Sequence, residues 1–246
     1  MRGLGTLVNL VTVVGGGALG LVIGDRLAPR MRETIMQGLG LATVAVAITG
    51  FAPLYDSDAG LRRFVILIGS VILGGITGEA LRLEDRLERL GVRIRDRFGV
   101  AEEEDAPRAS DHSRFVDGFV IASTLFCVGP LTILGAIEDG VGASLRLLII
   151  KSALDGFAAL GLASVYGRGV LVSAAVILVY QGGLTVAAST IEPVMTPEVL
   201  AQLGAIGSLL VLGIALRLLE IKEVKVVNLL PAIFIGPLAA GVVTRL

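Results

Sequence analysis

The amino-acid sequence predicts an all-α fold, a polytopic transmembrane helical bundle of about eight spans, from three observations. The 246 residues are 54% hydrophobic and only 17% charged, whereas soluble domains contain roughly 45–50% apolar and about 25% charged residues. The apolar residues are grouped in blocks of about 20 residues with charged stretches between them, which is typical of bilayer-spanning helices. One hydrophobic unit also occurs twice along the chain, as in many membrane transporters.

Each predicted span has about 18–24 residues. At a rise of about 1.5 Å per residue, this length crosses an apolar core of about 30 Å. The connections between the spans are short, except for one charged stretch after the third span. The eight predicted spans are residues 3–24, 35–53, 64–81, 114–137, 147–165, 169–190, 199–217 and 226–244.

The repeated unit places three spans before and three spans after a central pair. From Gly5 the sequence is Gly-Thr-Leu-Val-Asn, and from Gly169 it is Gly-Val-Leu-Val-Ser. Five spans, an odd number, precede the second unit, so that unit enters the membrane from the opposite side and the repeats are predicted to be inverted. The alternative is that the fourth span is only re-entrant, in which case the inversion is lost. The predicted organisation is one transmembrane domain (1–246) with a first repeat (3–81), a cytoplasmic segment (82–113), central spans (114–165) and a second repeat (169–244).

Positive charge sorts the connecting loops into two sets. The 25–34, 82–113 and 218–225 loops carry Arg or Lys, whereas the 191–198 loop carries none. The positive-inside rule therefore predicts that the first three loops are cytoplasmic and that both termini are outside. We expect a multi-pass protein of the cytoplasmic (inner) membrane. The pair Arg62-Arg63, on the predicted outer side, disagrees mildly with this orientation.

The cytoplasmic segment begins with an amphipathic pattern over residues 82–99. Apolar residues recur there at spacings of four and three, with Arg, Glu and Asp between them, which predicts a helix that lies on the membrane interface or extends the third span. Residues 100–112 are predicted to be a solvated linker. The apolar positions are Leu83, Leu87, Leu90, Ile94 and Phe98.

Ionisable and polar side chains inside the predicted spans are the candidate functional residues. A charge in the bilayer costs several kcal/mol and usually marks a site. Lys151 and Asp155 are four residues apart, so they share a helix face and can pair. The alternative is a purely structural ion pair. The predicted substrate- or ion-binding residues are Asp155, Lys151, Asp117, Gln181, Asn9 and Asn228.

Glycine and proline residues mark candidate helix breaks, where unwound backbone would face a substrate. Two glycine pairs lie at nearly corresponding places in the two repeats. The alternative is close packing of unbroken helices, because Gly16, Gly20 and Gly24 form one smooth face. The predicted helix-break residues are Gly16, Gly17, Gly129, Pro130, Gly182, Gly183 and Pro231.

Composition also predicts what the protein does not do. The net charge of −1 argues against a nucleic-acid partner, and the single cysteine, Cys127, permits no internal disulfide. No Ser/His/Asp, Cys/His or His/Glu spacing indicates catalysis or a metal, so we expect no enzyme activity and no cofactor beyond a coupling cation of unknown identity. The expected partners are the lipid bilayer, a small solute or ion, and a second copy of the chain bound through glycine-rich helix faces.

Six stretches resemble a bacterial family of uncharacterised integral membrane proteins, the YdfK/YqgA type, also called domain of unknown function 554. Its members are often described as transporters, but the resemblance implies no substrate or catalytic residue. The paired Asp-Gly-Phe at 117–119 and 155–157 is also similar to the Asp-Ala-Phe of small manganese exporters, which favours a cation. The six stretches, which span nearly the whole chain, are 5–9, 38–41, 126–130, 150–156, 180–182 and 228–232.

Together these features predict a membrane transporter of a small solute or ion, with a cation favoured. It would work by alternating access at a mid-membrane site between the repeats. The alternative is a non-transporting scaffold or sensor that acts through the amphipathic 82–99 helix.

The predicted topology is testable by thiol labelling. Single cysteines in the 191–198 and 218–225 loops, in a Cys127→Ser background, should react with an impermeant thiol reagent from opposite sides of the membrane, because the two loops differ in Lys and Arg content. Equal labelling of both loops from one side would contradict the topology.

Overall fold

A computed structural model describes residues 2–55, 59–98 and 108–243, and their regular structure is entirely helical. Residues 99–107, which comprise the last residue of the predicted amphipathic stretch and most of the predicted linker, lie outside the described residues. Two short 3₁₀ turns, Ala52–Tyr55 and Glu192–Val194, join longer helices. The α-helices are α1 (Leu4–Gly24), α2 (Pro29–Thr49), α3 (Gly60–Ala80), α4 (Leu83–Phe98), α5 (Arg108–Val128), α6 (Pro130–Val141), α7 (Arg146–Tyr166), α8 (Gly169–Ile191), α9 (Pro197–Leu218), α10 (Val226–Leu229) and α11 (Ala232–Val243).

Five of the described helices are long and apolar enough to cross a membrane, namely α1, α3, α7, α9 and α8 with its following turn. The bent pair of α5 and α6 makes a sixth if it is one span. The predicted spans 35–53 and 226–244 lie on helices that are not both long and apolar enough to count as membrane spans. Helix α2 carries Arg30, Arg32 and Glu33 in its first turns, and α10 with α11 gives only a short apolar helix after a break.

Lipid-facing and central helices differ in burial. In α9, 72% of the most apolar stretch is buried inside the protein, whereas the value is 28% in α1 and 22% in α3. Large side chains on the outer faces of α1 and α3, such as Val11, Leu19, Val65 and Ile76, are more than half exposed. A continuous apolar surface of this kind is expected where a protein contacts hydrocarbon rather than water.

Helices of the first predicted repeat pack against their counterparts in the second. Helix α1 contacts α8, α2 packs along α9, and α3 packs against α10 and α11. The central helices follow the same pattern, because α7 lies along α1 while α5 and α6 lie along α8.

The predicted breaks at Gly16-Gly17 and Gly182-Gly183 are not present, because α1 and α8 run unbroken through them. A glycine lowers helix stability by only about 1 kcal/mol, and an apolar environment offers no other partner for backbone groups released by unwinding. Close packing replaces the break in α1. A Cβ atom added to Gly16 would lie 2.1 Å from the carbonyl oxygen of Gly156 on α7.

Small residues serve the same purpose elsewhere in the bundle. Added Cβ atoms at Gly20 and Gly24 would meet the carbonyl oxygens of Leu160 and Ser164 at 2.3 and 2.6 Å. An added Cβ on Gly78 of α3 would overlap the backbone of α10, at the carbonyl oxygen of Asn228. Helices of the same chain therefore cover the glycine faces formed by Gly16, Gly20, Gly24 and Gly78.

The predicted interruptions at Gly129-Pro130 and Pro231 do coincide with helix ends. Helix α5 ends at Val128, α6 begins at Pro130, and the two helices are bent by 58°. Pro130 lies at the start of α6, where its missing N–H costs no helical hydrogen bond. Pro231 separates α10 from α11 in the same manner.

Contacts at the helix ends join the loops that the charge pattern assigns to one side. Arg63 Nε and Nη2 donate to Glu198 Oε2 and Oε1 at 3.0 and 2.8 Å, which links the predicted outer loops. At the opposite ends, Lys225 Nζ lies 3.6 Å from Glu79 Oε1. The charge of Arg63 is thus matched locally by Glu198, which explains why its position departs from the loop-charge pattern.

The glycine packing predicts a difference between neighbouring alanine variants. Gly16→Ala should lower the apparent Tm of the detergent-purified protein by roughly 2–10 °C, because the methyl group overlaps the Gly156 carbonyl. Gly15→Ala is the matched control, since nothing lies within 4 Å of its added Cβ. An unchanged Tm for Gly16→Ala would contradict the observed packing of α1 on α7.

Candidate functional site

A buried ion pair lies near the midpoint of α7. Asp155 is the tenth of the 21 residues of this helix, about 13 Å along the axis from Arg146. Lys151, one turn earlier, pairs through Nζ with Asp155 Oδ2. Both residues are buried, at 4% exposure for Lys151 and 8% for Asp155. The i, i+4 spacing predicted from the sequence therefore places the two charges in contact inside the bundle.

Two amides from neighbouring helices extend the pair. Asn9 Nδ2 on α1 donates to Asp155 Oδ2 at 3.1 Å and to Gln181 Oε1 on α8 at 2.9 Å. Asn9 and Gln181 are completely buried. The structure thus brings together four of the six predicted binding residues across α1, α7 and α8.

Two threonines that the sequence reasoning missed complete the network. Gln181 Nε2 donates to Thr6 Oγ1 at 3.2 Å, and Thr6 Oγ1 lies 3.1 Å from Thr185 Oγ1. Thr6 precedes Asn9 by three residues and Thr185 follows Gln181 by four. Because residues three or four apart share a helix face, both threonines could have been predicted from the positions of Asn9 and Gln181.

A cavity of about 260 Å³ borders the ion pair. The bend at Gly129-Pro130 forms part of its wall, and so do Lys151 and Asp155. Helices α2 and α9 close the other sides with mainly apolar residues. The polar side chains in the wall, besides the ion pair, are Thr43, Thr49, Thr132 and Ser208.

Two oxygen atoms in the network have no hydrogen-bond donor among the described residues. Asn9 Oδ1 is buried and accepts no hydrogen bond. Both hydrogen bonds recorded for the Asp155 carboxylate use Oδ2, which leaves Oδ1 without a donor among the described residues. The site therefore has two oxygen acceptors to spare. The charged one belongs to Asp155, which lines the cavity, whereas Asn9 is not among the residues of the cavity wall.

Asp117 and Asn228 do not belong to this site. Asp117 Oδ1 accepts a hydrogen bond from Arg217 Nη2 at 2.9 Å near the predicted cytoplasmic ends of α5 and α9. Asn228 Nδ2 donates to Glu79 Oε2 at 2.7 Å, and Asn228 Oδ1 accepts from the backbone N–H of Glu84 at 2.9 Å. The sequence analysis named all six as binding residues because each is an ionisable or polar side chain inside a predicted span.

The two Asp-Gly-Phe segments are also placed differently. Phe119 is completely buried, whereas Phe157 is 76% exposed on the outside of α7. Asp155 belongs to the central network, whereas Asp117 pairs with Arg217. The similarity of the segments therefore does not extend to their surroundings.

A second acidic group with unusual surroundings, Glu84, lies on α4 outside the spans. Its side chain is buried, one oxygen has no partner, and the other lies 3.6 Å from Arg217 Nη1. Burial raises the pKa of Glu84 from 4.5 to about 7, because the loss of hydration outweighs the attraction of Arg217. Sequence reasoning missed Arg217, the residue that joins Glu84 to Asp117.

Another missed residue, Asp139, binds the start of α1. Its carboxylate accepts hydrogen bonds from the backbone N–H groups of Gly3, Gly5 and Thr6 at 3.1, 3.1 and 3.4 Å. A carboxylate at a helix N-terminus is favourable because it meets free N–H groups and the positive end of the helix dipole. Asp139 thereby holds α1 in the register that puts Asn9 beside Asp155.

No group of three or more His, Cys, Asp or Glu side chains that could hold a metal ion lies within residues 2–55, 59–98 and 108–243.

The fold and the buried network define a helical membrane protein with a polar site among its central helices. The chain belongs to the family described as "Protein of unknown function (DUF554)", whose model matches residues 4–240. It is 28% identical to the "Uncharacterized membrane protein YdfK" of Bacillus subtilis (strain 168) over 97% of this chain and 96% of that protein. It is 32% identical to the "Uncharacterized protein YqgA" of Escherichia coli (strain K12) over 97% of both. No solved structure matches the chain.

The raised pKa of Glu84 predicts a specific pH dependence. A carboxyl group whose pKa is higher in the folded protein contributes stability that is full below the ordinary value of 4.5 and is lost as the pH rises through about 7. Glu84→Gln should therefore raise the apparent Tm at pH 8.5 and leave it nearly unchanged at pH 5. Asp85→Asn, an exposed neighbour, is the control. A lower Tm for Glu84→Gln at pH 8.5 would show that its pairing with Arg217 outweighs the burial.

Proposed function

We propose that this protein transports a small solute or ion, most favourably a cation, across the membrane by alternating access at the Asp155 network. The carrying observation is a buried carboxylate that borders a cavity, uses one oxygen for its internal partners and leaves the other without a donor among the described residues. Carboxylates buried in membrane proteins are expensive and are usually retained for function.

The chemistry of the pair favours a cation. Lys151 neutralises Asp155 at rest, so the empty site avoids an unpaired charge in an apolar environment. An incoming cation or proton would compete for the same carboxylate and release the Lys151 ammonium group. The two spare oxygens, Asn9 Oδ1 and Asp155 Oδ1, are suitable acceptors for that cation or for the released lysine.

Two features of the fold favour movement at this place. The bend at Gly129-Pro130 borders the cavity and interrupts the helical hydrogen bonds of α5 and α6. Discontinuous helices next to a mid-membrane site are common in transporters. The contacts of α1, α2 and α3 with α8, α9 and α11 are those expected of two repeats around one axis.

The inverted arrangement itself remains part of the proposal. It requires eight crossings, including α2 and the α10–α11 segment, and it is supported by the contacts that join the loops of each predicted side. Location in the cytoplasmic membrane is likewise a proposal, and it rests on the loop charges. A homodimer is also a proposal, but other helices of the same chain cover the glycine faces formed by Gly16, Gly20, Gly24 and Gly78.

A second candidate function is favoured by α4. This helix is strongly amphipathic, and its acidic residue Glu84 docks against Arg217 at the end of α9. A sensor or scaffold that works through residues 82–99 would use this contact. Neutralising exposed charges of α4 should then abolish activity in cells, whereas a transporter should retain its flux.

Flux measurements test the transport proposal. Wild-type protein in proteoliposomes should give currents with at least one of H⁺, Na⁺, K⁺, Mg²⁺ and Mn²⁺ on a solid-supported membrane. Asp155→Asn should abolish that current while the protein remains monodisperse, because the site loses its charge.

A second test variant and one control complete this experiment. Lys151→Met should also change the current, since it removes the competing cation, whereas Asp25→Asn, at an exposed position, should not. Normal currents from Asp155→Asn and Lys151→Met would show that the ion pair has only a structural role. No current from the wild-type protein with any of the five ions would contradict cation transport.

A further inference from the structure

Helix α4 carries a stripe of arginines beside its apolar face. The stripe comprises positions spaced by four and three, so its members lie on one side of the helix, about 100° from the apolar positions that follow each of them by one residue. All five side chains are exposed, and none makes a hydrogen bond or ion pair with a described residue. The arginines of this stripe are Arg82, Arg86, Arg89, Arg93 and Arg97.

The connection to α3 and contacts with neighbouring helices hold α4 against the bundle at the end of a span. Helix α3 ends at Ala80 and α4 begins at Leu83, with Arg82 between them in the left-handed conformation at φ 50°. Helix α4 then packs against α5 and α10. The arginine stripe therefore lies at the depth where lipid headgroups lie.

A cavity of about 400 Å³ opens next to the stripe, between α4, α5, α8 and α11. Arg86 lies in its wall. The remaining wall is almost wholly apolar, and Leu90 and Phe234, which also line it, are 44% and 67% exposed. The cavity is separate from the one at Asp155, since the two have no lining residue in common.

We propose that this cavity and the arginine stripe form a binding site for an anionic phospholipid, with an acyl chain in the cavity and the phosphate on Arg86 and Arg89. The apolar wall and its exposed rim suit a chain that enters from the bilayer. Exposed arginines on an amphipathic interfacial helix attract anionic headgroups. A soluble ligand would find few polar groups inside the cavity, since the hydroxyl and thiol groups among the described residues of its wall are those of Ser123, Thr124, Tyr180 and Cys127.

The headgroup part of the proposal is tested by native mass spectrometry of the full-length protein from nanodiscs. Phosphatidylglycerol should be retained in preference to phosphatidylcholine. Arg86→Gln and Arg89→Gln should each weaken retention by about five-fold, because each arginine near a membrane surface contributes that much. Arg146→Gln, an exposed arginine at the opposite end of the bundle, is the matched control and should have no effect.

The acyl-chain part is tested with the wild-type protein, so it does not depend on a variant that folds. Cys127 is the sole cysteine and lines the cavity. Its labelling by N-ethylmaleimide should be several-fold slower in nanodiscs that contain phosphatidylglycerol than in phosphatidylcholine alone. Soluble glycerol phosphate should give no protection.

Three results would overturn the proposal. Equal retention of the two lipids would remove the anionic preference. Protection of Cys127 by glycerol phosphate would identify the ligand as a soluble phosphate. Retention of phosphatidylglycerol without any protection of Cys127 would mean that the headgroup binds while the cavity stays empty.

Discussion

The contact of Lys151 with Asp155 is the constraint on which the central part of this protein depends. Two charges removed from water destabilise a fold unless they are paired and their remaining hydrogen-bonding capacity is met. Asn9 provides the second donor to the carboxylate, and Gln181 holds Asn9 in place. Helices α1, α7 and α8 must therefore keep a fixed register, since a shift of one residue in any of them would leave a buried charge without its partners.

Glycine packing and one distant carboxylate set that register. The carbonyl groups of α7 lie so close to α1 that only glycine fits at Gly16 and Gly20, which brings the α1 backbone near enough for Asn9 to reach Asp155. Asp139 fixes the other end of the helix through three backbone N–H groups. The same close contacts make the α1–α7 pair rigid, so movement at the site is more easily accommodated at the bend between α5 and α6.

Much of this could be predicted from the sequence. The cost of charge in the membrane singled out Lys151 and Asp155, and helix spacing showed that they can pair. The pairing of Asp117 with Arg217 could not be predicted, because it depends on the depth at which two helices 100 residues apart in sequence end. The glycines were ambiguous for a physical reason. The same glycine spacing is compatible with a helix that packs closely and with a helix that breaks. Which of the two occurs depends on whether the backbone of another helix packs against the glycines.

Access to the cavity from each side of the membrane tests the central claim most directly. Ala158 lines the cavity one turn from Asp155, and a single cysteine there, in a Cys127→Ser background, reports whether water reaches the site. Alternating access predicts that an impermeant thiol reagent labels this cysteine in right-side-out and in inside-out vesicles. A transported cation should raise the labelling rate on one side while it lowers the rate on the other. Labelling from one side only, whatever cation is present, would contradict the account.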